Sequence, residues 1–132
     1  MKYLLDTHTL IWSITDSRRL SPRILELLRN SDNEIFVSVI SLWEISLKYK
    51  LGKLILNNLS PEDFPSLIKK LHYELITLTG EEVSTYHLLN EHTHKDPFDR
   101  MLAWQAIQRK IVVITKDSKF ELFTPLGLEI FW

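Results

Sequence analysis

The sequence predicts an α/β domain with a mainly parallel five-stranded sheet flanked by helices. Short runs rich in β-branched and other apolar residues alternate along the chain with segments of helical periodicity. The run IVVIT at 111–115 is nearly all apolar, as is typical of a strand covered on both faces. A chain of 132 residues, 45% of them hydrophobic, fits one domain, which we place at 1–132.

Five strands and four helical segments account for most of the chain. Two of the helical segments, 21–30 and 60–71, begin with Ser-Pro, which is typical of a serine N-cap followed by proline at the first helical position. The longest apolar-rich helical patterns cover 39–51 and 96–110. The predicted strands lie at 2–5, 34–38, 74–78, 111–115 and 128–131.

The composition excludes several classes of protein. Without cysteine there is no disulfide framework, zinc ribbon or thiol nucleophile. A formal net charge of −1 supplies no overall basic field, so any binding of nucleic acid must be local. No window approaches the ~20 apolar residues of a membrane span, and Asp6 interrupts the first apolar run too early for a signal sequence. We therefore expect a cytoplasmic protein without a membrane partner.

Acidic residues follow two of the predicted strands. Asp6 directly follows the strand at 2–5, and Asp117 comes two residues after the strand at 111–115. Because the ligand sites of open parallel sheets lie beyond the carboxyl ends of the strands, we expect both carboxylates at the same edge. The competing interpretation is that each opens a loop or caps a helix, which is the more frequent role of a single aspartate.

A glutamate interrupts the apolar face of the predicted helix 39–51. Glu44 shares helical spacing with the apolar residues Ile40, Leu47 and Leu51. It lies either at the edge of this face, where it reaches water, or inside a buried polar cluster. A buried carboxylate costs free energy unless it is paired or binds a metal, so both interpretations stay open.

The segment HKDPFDRMLAWQA at 94–106 places two aspartates at the start of a predicted helix. Asp96 precedes Pro97 and is a natural N-cap, which puts Asp99 at the third helical position. Helix capping is sufficient to explain Asp96. It does not explain a second acid only three residues away. Asp99 is therefore the better candidate for chemistry.

These acids from four segments would form one cluster if the strand order brings the segments together. Two carboxylates about 4 Å apart repel each other by about 4 kcal/mol at an effective dielectric constant of about 20, so such a cluster needs a cation. Oxygen ligands favour Mg²⁺ or Mn²⁺ over softer metals. A site of this kind activates water and stabilises phosphoryl oxygens.

Four segments carry a family resemblance: YLLDTHTLIW near the start, VSVISLWEISLKYKLGKL in the middle, then HKDPFDRMLAWQA and ITKDSKF. Together and in this order they resemble PIN-domain ribonucleases, most closely the VapC-like toxins of bacterial toxin–antitoxin pairs. The resemblance extends over essentially the whole chain. It implies a parallel sheet flanked by helices, with an acidic site that holds one or two Mg²⁺ or Mn²⁺ ions and cleaves RNA.

The resemblance also implies roles for individual residues. The positions that match the family's catalytic and metal-binding acids are Asp6, Glu44, Asp99 and Asp117. Asp96 belongs to the HxDPFDR form of the motif, and we expect it to act first as a helix cap and second as a supporting contact to the site.

Histidine and basic residues near the acids allow further interpretations. His92, His94 and Asp96 alternate, which is compatible with a zinc or other transition-metal site. We favour a different role, in which His8 and His94 brace the acids through hydrogen bonds. Basic residues beside the acids either form solvated ion pairs worth little or bind RNA phosphates without reading bases. We predict phosphate contacts for two of them, Arg100 and Lys116.

Three alternatives to a ribonuclease come from other classes of protein. A phosphoacceptor receiver domain is also a small α/β fold with an acid after its first strand, but neither 34–38 nor 74–78 ends in the aspartate that it requires. A haloacid-dehalogenase-type phosphatase requires an aspartate where His8 stands. A non-catalytic binding module with the PIN fold is the remaining alternative, and the four acids argue against it.

The resemblance further implies a small antitoxin, whose C-terminal segment lies across the site, and a homodimer. The segments 9–14 and 42–56 add support because they carry more apolar and aromatic residues than one helix face buries. It is equally open that these residues pack in the core. The pattern indicates a core position for most of the tryptophans. The residues that could line a groove for a partner are Trp12, Trp43, Tyr49 and Leu54.

Overall fold

The computed structural model describes residues 1–132, whose strands form one fully parallel sheet of five strands. The spatial order of the strands is β3-β2-β1-β4-β5, which places β1 at the centre with β4 beside it. The predicted α/β class is confirmed. In chain order, the strands are β1 (Lys2–Leu5), β2 (Glu34–Ser38), β3 (Glu74–Ile76), β4 (Val112–Ile114) and β5 (Ile130–Phe131).

Six α-helices connect the strands, and 3₁₀ turns at Ser17–Arg19, Pro61–Asp63, Tyr86–Leu88 and Ser118–Leu126 complete the connections. No helix combines the length and the apolar composition needed to cross a bilayer. The helices are α1 (Thr7–Thr15), α2 (Pro22–Arg29), α3 (Val39–Lys50), α4 (Phe64–Lys70), α5 (Gly80–Thr85) and α6 (Pro97–Arg109).

The helix starts that the sequence predicts from Ser-Pro follow the expected chemistry. The Ser21 side chain accepts a hydrogen bond from the backbone N–H of Ile24 at 3.4 Å, with Pro22 at the first position of α2. Ser60 and Pro61 instead begin a 3₁₀ turn that leads into α4. Helix α5 was not among the predicted segments, although the Thr79 and Glu82 side chains form a capping box that the sequence spells as T-x-x-E.

The core has two layers, one on each face of the sheet. Adjacent residues of a strand point to opposite faces, so Leu4 and Val113 belong to one apolar cluster whereas Leu5 and Ile114 belong to the other. All four side chains are fully buried. Coverage on both faces explains why β4 and the second half of β1 are continuously apolar in sequence.

Helix α3 departs from its predicted apolar face. Ile40 and Ile45 are buried, but Leu47 and the C-cap residue Leu51 are exposed. The periodicity identified the helix correctly but did not show that its buried residues end at Ile45.

Candidate active site

The carboxyl edge of the central strands forms a cleft of about 220 Å³. Asp6 follows β1 and Asp117 follows β4, and these strands are neighbours in the sheet. The parallel arrangement therefore brings both aspartates to one edge, as the sequence predicts. The cleft is lined by Asp6, His8, Trp12, Lys116 and Asp117.

Asp6 is held firmly between a helix start and the neighbouring strand. It is the N-cap of α1, where its Oδ1 accepts a hydrogen bond from the Thr9 N–H at 2.8 Å. Its Oδ2 accepts one from the Thr115 hydroxyl at 2.6 Å. Only 3% of the residue is exposed, and burial raises the pKa of Asp6 although the hydrogen bonds from Thr115 and Thr9 oppose the rise. Asp6 thus combines the capping role with a buried carboxylate at the site.

Asp117 lies at the other wall of the cleft and is half-buried. Its Oδ1 accepts a hydrogen bond from the Lys119 N–H at 2.9 Å, so this residue also caps a turn, the 3₁₀ segment that begins at Ser118. Its backbone N–H donates to the Thr115 hydroxyl at 3.0 Å. The same hydroxyl therefore contacts both aspartates, a role for Thr115 that sequence analysis missed.

Glu44 belongs to a buried polar cluster, which decides between the two interpretations of its position. It is 3% exposed, and its Oε1 accepts a hydrogen bond from the Thr7 hydroxyl at 2.6 Å. The hydroxyls of Thr7 and Ser41 lie 3.0 Å apart. The second carboxylate oxygen, Oε2, forms an ion pair with Lys48 one turn further along α3. Because Thr7 directly follows Asp6 in the chain, this cluster adjoins the cleft.

The start of α6 holds two aspartates in different environments. Asp96 is the N-cap, and its Oδ1 accepts a hydrogen bond from the Asp99 N–H at 3.0 Å. The Asp99 carboxylate points to His94, whose Nε2 lies 2.9 Å from Asp99 Oδ2. Burial raises the pKa of Asp99 to about 6, and the nearby carboxylates of Asp96 and Glu44 act in the same direction. Asp99 is thus a partly desolvated acid among other acids.

His94 is buried beside Asp99 and packs against aromatic side chains. Its ring centroid lies 5.8 Å from that of Phe123 and 6.4 Å from that of Phe120. This packing restricts the imidazole to the position in which it contacts Asp99. The bracing contact that we expected of His94 therefore exists, whereas His8 is exposed, lies against Trp12 and forms no hydrogen bond with an acid.

Lys48 is a cationic member of the site that sequence analysis did not single out. Its partial burial favours the neutral amine, but the ion pair with Glu44 outweighs this effect and raises the pKa of Lys48. The carboxylates of Asp96 and Asp99 also raise it. The i, i+4 spacing of Glu44 and Lys48 on α3 was the available signal.

The two basic residues expected to contact RNA phosphates differ. Lys116 is exposed and lines the cleft. The guanidinium group of Arg100 instead donates hydrogen bonds to the backbone carbonyls of Glu91, His94 and Leu89 and to the Tyr86 hydroxyl. Arg100 is thus engaged in holding the loop before α6, whereas the predicted phosphate contact requires donors that face solvent.

The alternating residues His92, His94 and Asp96 do not assemble a transition-metal site. His92 is exposed and contacts Asn90, while His94 contacts Asp99. Because the two histidines contact different partners, the zinc interpretation is wrong for this structure. No three His, Asp or Glu side chains are arranged to ligate one ion as they stand, and this holds for the acids of the carboxyl edge as well.

The acids of the carboxyl edge form two groups. Thr115 links Asp6 and Asp117, and the second group contains Glu44, Asp96 and Asp99, which influence one another electrostatically. Thr7 connects the groups because it follows Asp6 and bonds to Glu44. The donors are all carboxylate oxygens, and burial raises the pKa of one acid in each group. This chemistry fits a hard divalent cation, which would relieve both repulsion and desolvation.

Comparison with known proteins identifies the family. The family model described as PIN domain matches residues 3–124, which is most of the chain. The chain belongs to the PIN-domain family. The resemblance seen in the sequence is confirmed at this level, and membership of this family takes the place of the receiver and phosphatase alternatives.

Solved structures with the same fold cover nearly the whole PIN domain. A DNA-bound VapBC structure from Salmonella typhimurium has a TM-score of 0.70 and 23% identity, over 99% of this chain and 97% of that one. VapBC2 from Rickettsia felis, bound to a promoter DNA fragment, has a TM-score of 0.67 and 20% identity, over 99% and 98%. VapBC-1 from nontypeable Haemophilus influenzae has a TM-score of 0.66 and 21% identity, over 99% and 97%. No curated protein matches the sequence significantly.

Proposed function

We propose that this PIN domain is a metal-dependent endoribonuclease that cleaves RNA phosphodiester bonds. The observation that carries the proposal is that acids from four segments form two adjoining groups, one at the cleft beside the central strands and one linked to it through Thr7. The segments are the ends of β1 and β4, the middle of α3 and the start of α6, and the acids are Asp6, Glu44, Asp99 and Asp117.

Asp6 and Asp99 are the residues we assign to hold Mg²⁺ or Mn²⁺. Their carboxylates are buried or partly buried, and the pKa of each is raised because the ionised form is poorly solvated. A bound cation stabilises the ionised form, so we expect its largest stabilising effect at these two residues. Glu44 and Asp117 complete the set, directly or through water. When bound, the ion supplies a Lewis acid for phosphate oxygens and activates water for attack.

The surrounding residues keep the acids in position. The Thr115 hydroxyl orients Asp6, and His94 orients Asp99. Asp96 maintains the start of α6, so that Asp99 stays at its third helical position. Residues of this kind matter because ligands that are fixed in advance bind a metal ion more tightly and with a defined geometry.

Lys116 is the residue we assign to a phosphate of the RNA. It is exposed at the mouth of the cleft, next to Asp117, where an ammonium group can neutralise a phosphate without reading the base. We assign Arg100 to the loop before α6 rather than to the RNA, because its donors are already used there.

We also propose that the protein is the toxin of a toxin–antitoxin pair and that it forms a homodimer. The similar solved structures are VapBC and FitAB assemblies. The chain itself exposes large apolar residues in and after α3: Trp43 is 62% exposed and Ile55 is 82% exposed. Tyr49 is also exposed, whereas Trp12 and Leu54 are half-buried. Of the four tryptophans, Trp104 is buried in the core, Trp12 and Trp132 are partly buried against it, and Trp43 alone is exposed.

RNA cleavage tests the enzymatic proposal directly. Purified protein is incubated with structured RNAs and Mg²⁺ or Mn²⁺, with and without a chelator, and the cut sites are mapped. We expect metal-dependent cleavage that Asp99→Asn abolishes. The matched control is Asp32→Asn, an exposed aspartate just before β2 at the opposite edge of the sheet, which should leave cleavage unchanged. A folded protein that cuts no RNA with either metal would favour the non-catalytic binding module instead.

A further inference from the structure

Lys48 is distinctive among the basic residues of the chain. Of all Lys and Arg side chains, it alone forms an ion pair with one of the four acids assigned to the site. Its partner, Glu44, is buried and has already committed its other carboxylate oxygen to the Thr7 hydroxyl. The Glu44 carboxylate is therefore fully partnered within the protein.

The ammonium group of Lys48 serves more than one acid. Asp96 and Asp99 both act electrostatically on it, and Glu44 acts in turn on Asp99. One positive charge thus pairs with Glu44 and acts electrostatically on two further carboxylates, where it offsets the repulsion among the three. Lysine suits this role because its charge is compact and its stem is flexible.

Lys48 also has a route away from the acids. Its side chain is 35% exposed, whereas that of Glu44 is 4% exposed, so the ammonium group can move towards water without a rearrangement of α3. A divalent cation at these carboxylates would repel the ammonium group and take over its charge compensation.

We propose that Lys48 is an internal counter-cation that stabilises the acidic site without metal and competes with the divalent ion for it. The inference rests on the proposed metal-dependent function. In the metal-free protein the lysine prevents an accumulation of unpaired negative charge. The consequence is a lower affinity for the ion than the carboxylates alone would give, and a site that selects doubly charged over singly charged cations.

A purely positioning role for Lys48 predicts the opposite change in metal affinity when the lysine is removed. If Lys48 only held Glu44 in the orientation that binds metal, its removal would weaken binding. If it is a competing cation, its removal strengthens binding. Metal affinity therefore distinguishes the two roles without any measurement of RNA cleavage.

Calorimetric titration with Mn²⁺ tests the inference on the full chain. We expect Lys48→Met to bind Mn²⁺ more tightly than the parent, on the order of tenfold. Lys48→Arg keeps the charge and should stay close to the parent, and Lys50→Met, an exposed lysine two residues along the same helix, should not differ from it. Lys48→Met should also melt at a lower temperature without metal and gain more from Mn²⁺.

A second neutral variant, Lys48→Gln, covers the case in which Lys48→Met does not fold, because glutamine can still donate a hydrogen bond to Glu44. Suppose that the parent binds Mn²⁺ and cuts RNA, but the folded neutral variant binds Mn²⁺ no more tightly than the parent. This result would overturn the role proposed for Lys48 and leave the proposed ribonuclease function standing. A parent that binds no divalent ion would overturn both this inference and the proposed metal-dependent function.

Discussion

The Thr115 hydroxyl donates a hydrogen bond to the Asp6 carboxylate at 2.6 Å and joins two neighbouring strands at the edge where the cleft lies. The same hydroxyl accepts a hydrogen bond from the backbone N–H of Asp117 at 3.0 Å. One side chain therefore sets the relative position of the two aspartates that follow β1 and β4.

Replacing Thr115 should change the positions of the acids without changing the charge of the site. Thr115→Val removes the hydroxyl but keeps the shape, so we expect a loss of about 1 kcal/mol of stability or somewhat more, because the Asp6 carboxylate loses a buried donor. RNA cleavage should fall at least tenfold. Thr115→Ser retains the hydroxyl and should recover most of both properties. Chemical denaturation and cleavage rates check this. Parent-level cleavage by the folded valine variant would remove Thr115 from the site.

Divalent ions should stabilise the protein against heat. Mg²⁺ or Mn²⁺ at 100 times its dissociation constant should contribute about 2.7 kcal/mol, because it binds the folded state and relieves repulsion between carboxylates. The Asp6→Asn, Asp99→Asn double variant should show no such gain. It should also melt higher than the metal-free parent, because two desolvated charges are removed while Asn still caps α1. Calorimetry measures both effects. If the ion raises the melting temperature of parent and variant equally, it binds elsewhere.

The raised pKa of Asp99 predicts a definite pH dependence of stability without metal. The pKa is about 6 in the folded protein against the ordinary value of 3.8, so the folded state favours the protonated acid. The stability associated with this proton is fully present below about pH 4 and is lost as the pH rises through about 6. The difference corresponds to about 3 kcal/mol as an upper value.

Asp99→Asn is neutral at every pH and provides the comparison. Its free energy of unfolding, relative to that of the parent, should rise between pH 4 and pH 7 in the presence of a chelator. Saturating Mg²⁺ should abolish this trend, because the ion favours the carboxylate. Urea denaturation at a series of pH values measures the difference, and a difference independent of pH would show that Asp99 titrates normally.

Expression in bacteria tests the proposed partner. The protein alone should arrest growth, and co-expression with the product of the adjacent small open reading frame should restore growth and yield a complex. Asp99→Asn should be harmless on its own. Trp43→Ser should weaken the complex or the homodimer, because it removes the exposed aromatic side chain that contacts Phe98 at a centroid distance of 5.1 Å. If the active enzyme is harmless and the product of the adjacent reading frame does not co-purify with it, the toxin proposal is contradicted. The ribonuclease proposal would still stand.

The sequence by itself determined the α/β class and the positions of the acids at the ends of strands and helices. These features depend on local chemistry: alternating apolar runs identify strands, and Asp96 before Pro97 identifies a helix start that the structure places at the same residue. The family motifs are also local in sequence, which is why the sequence alone carries the resemblance to PIN domains. Asp6 and Asp117 could be placed at one edge because parallel strands share their direction.

Only the tertiary structure decided which residues support these acids. Thr115 and Asp6 are 109 positions apart in the chain, and no periodicity connects them. Glu44 could be an edge residue or a buried one until Thr7 was placed beside it. Arg100 lies next to Asp99 in sequence, yet its guanidinium group faces the loop before α6. Sequence spacing fixes distances along one element, whereas burial and pairing depend on which elements meet, and that is determined by the packing of the whole domain.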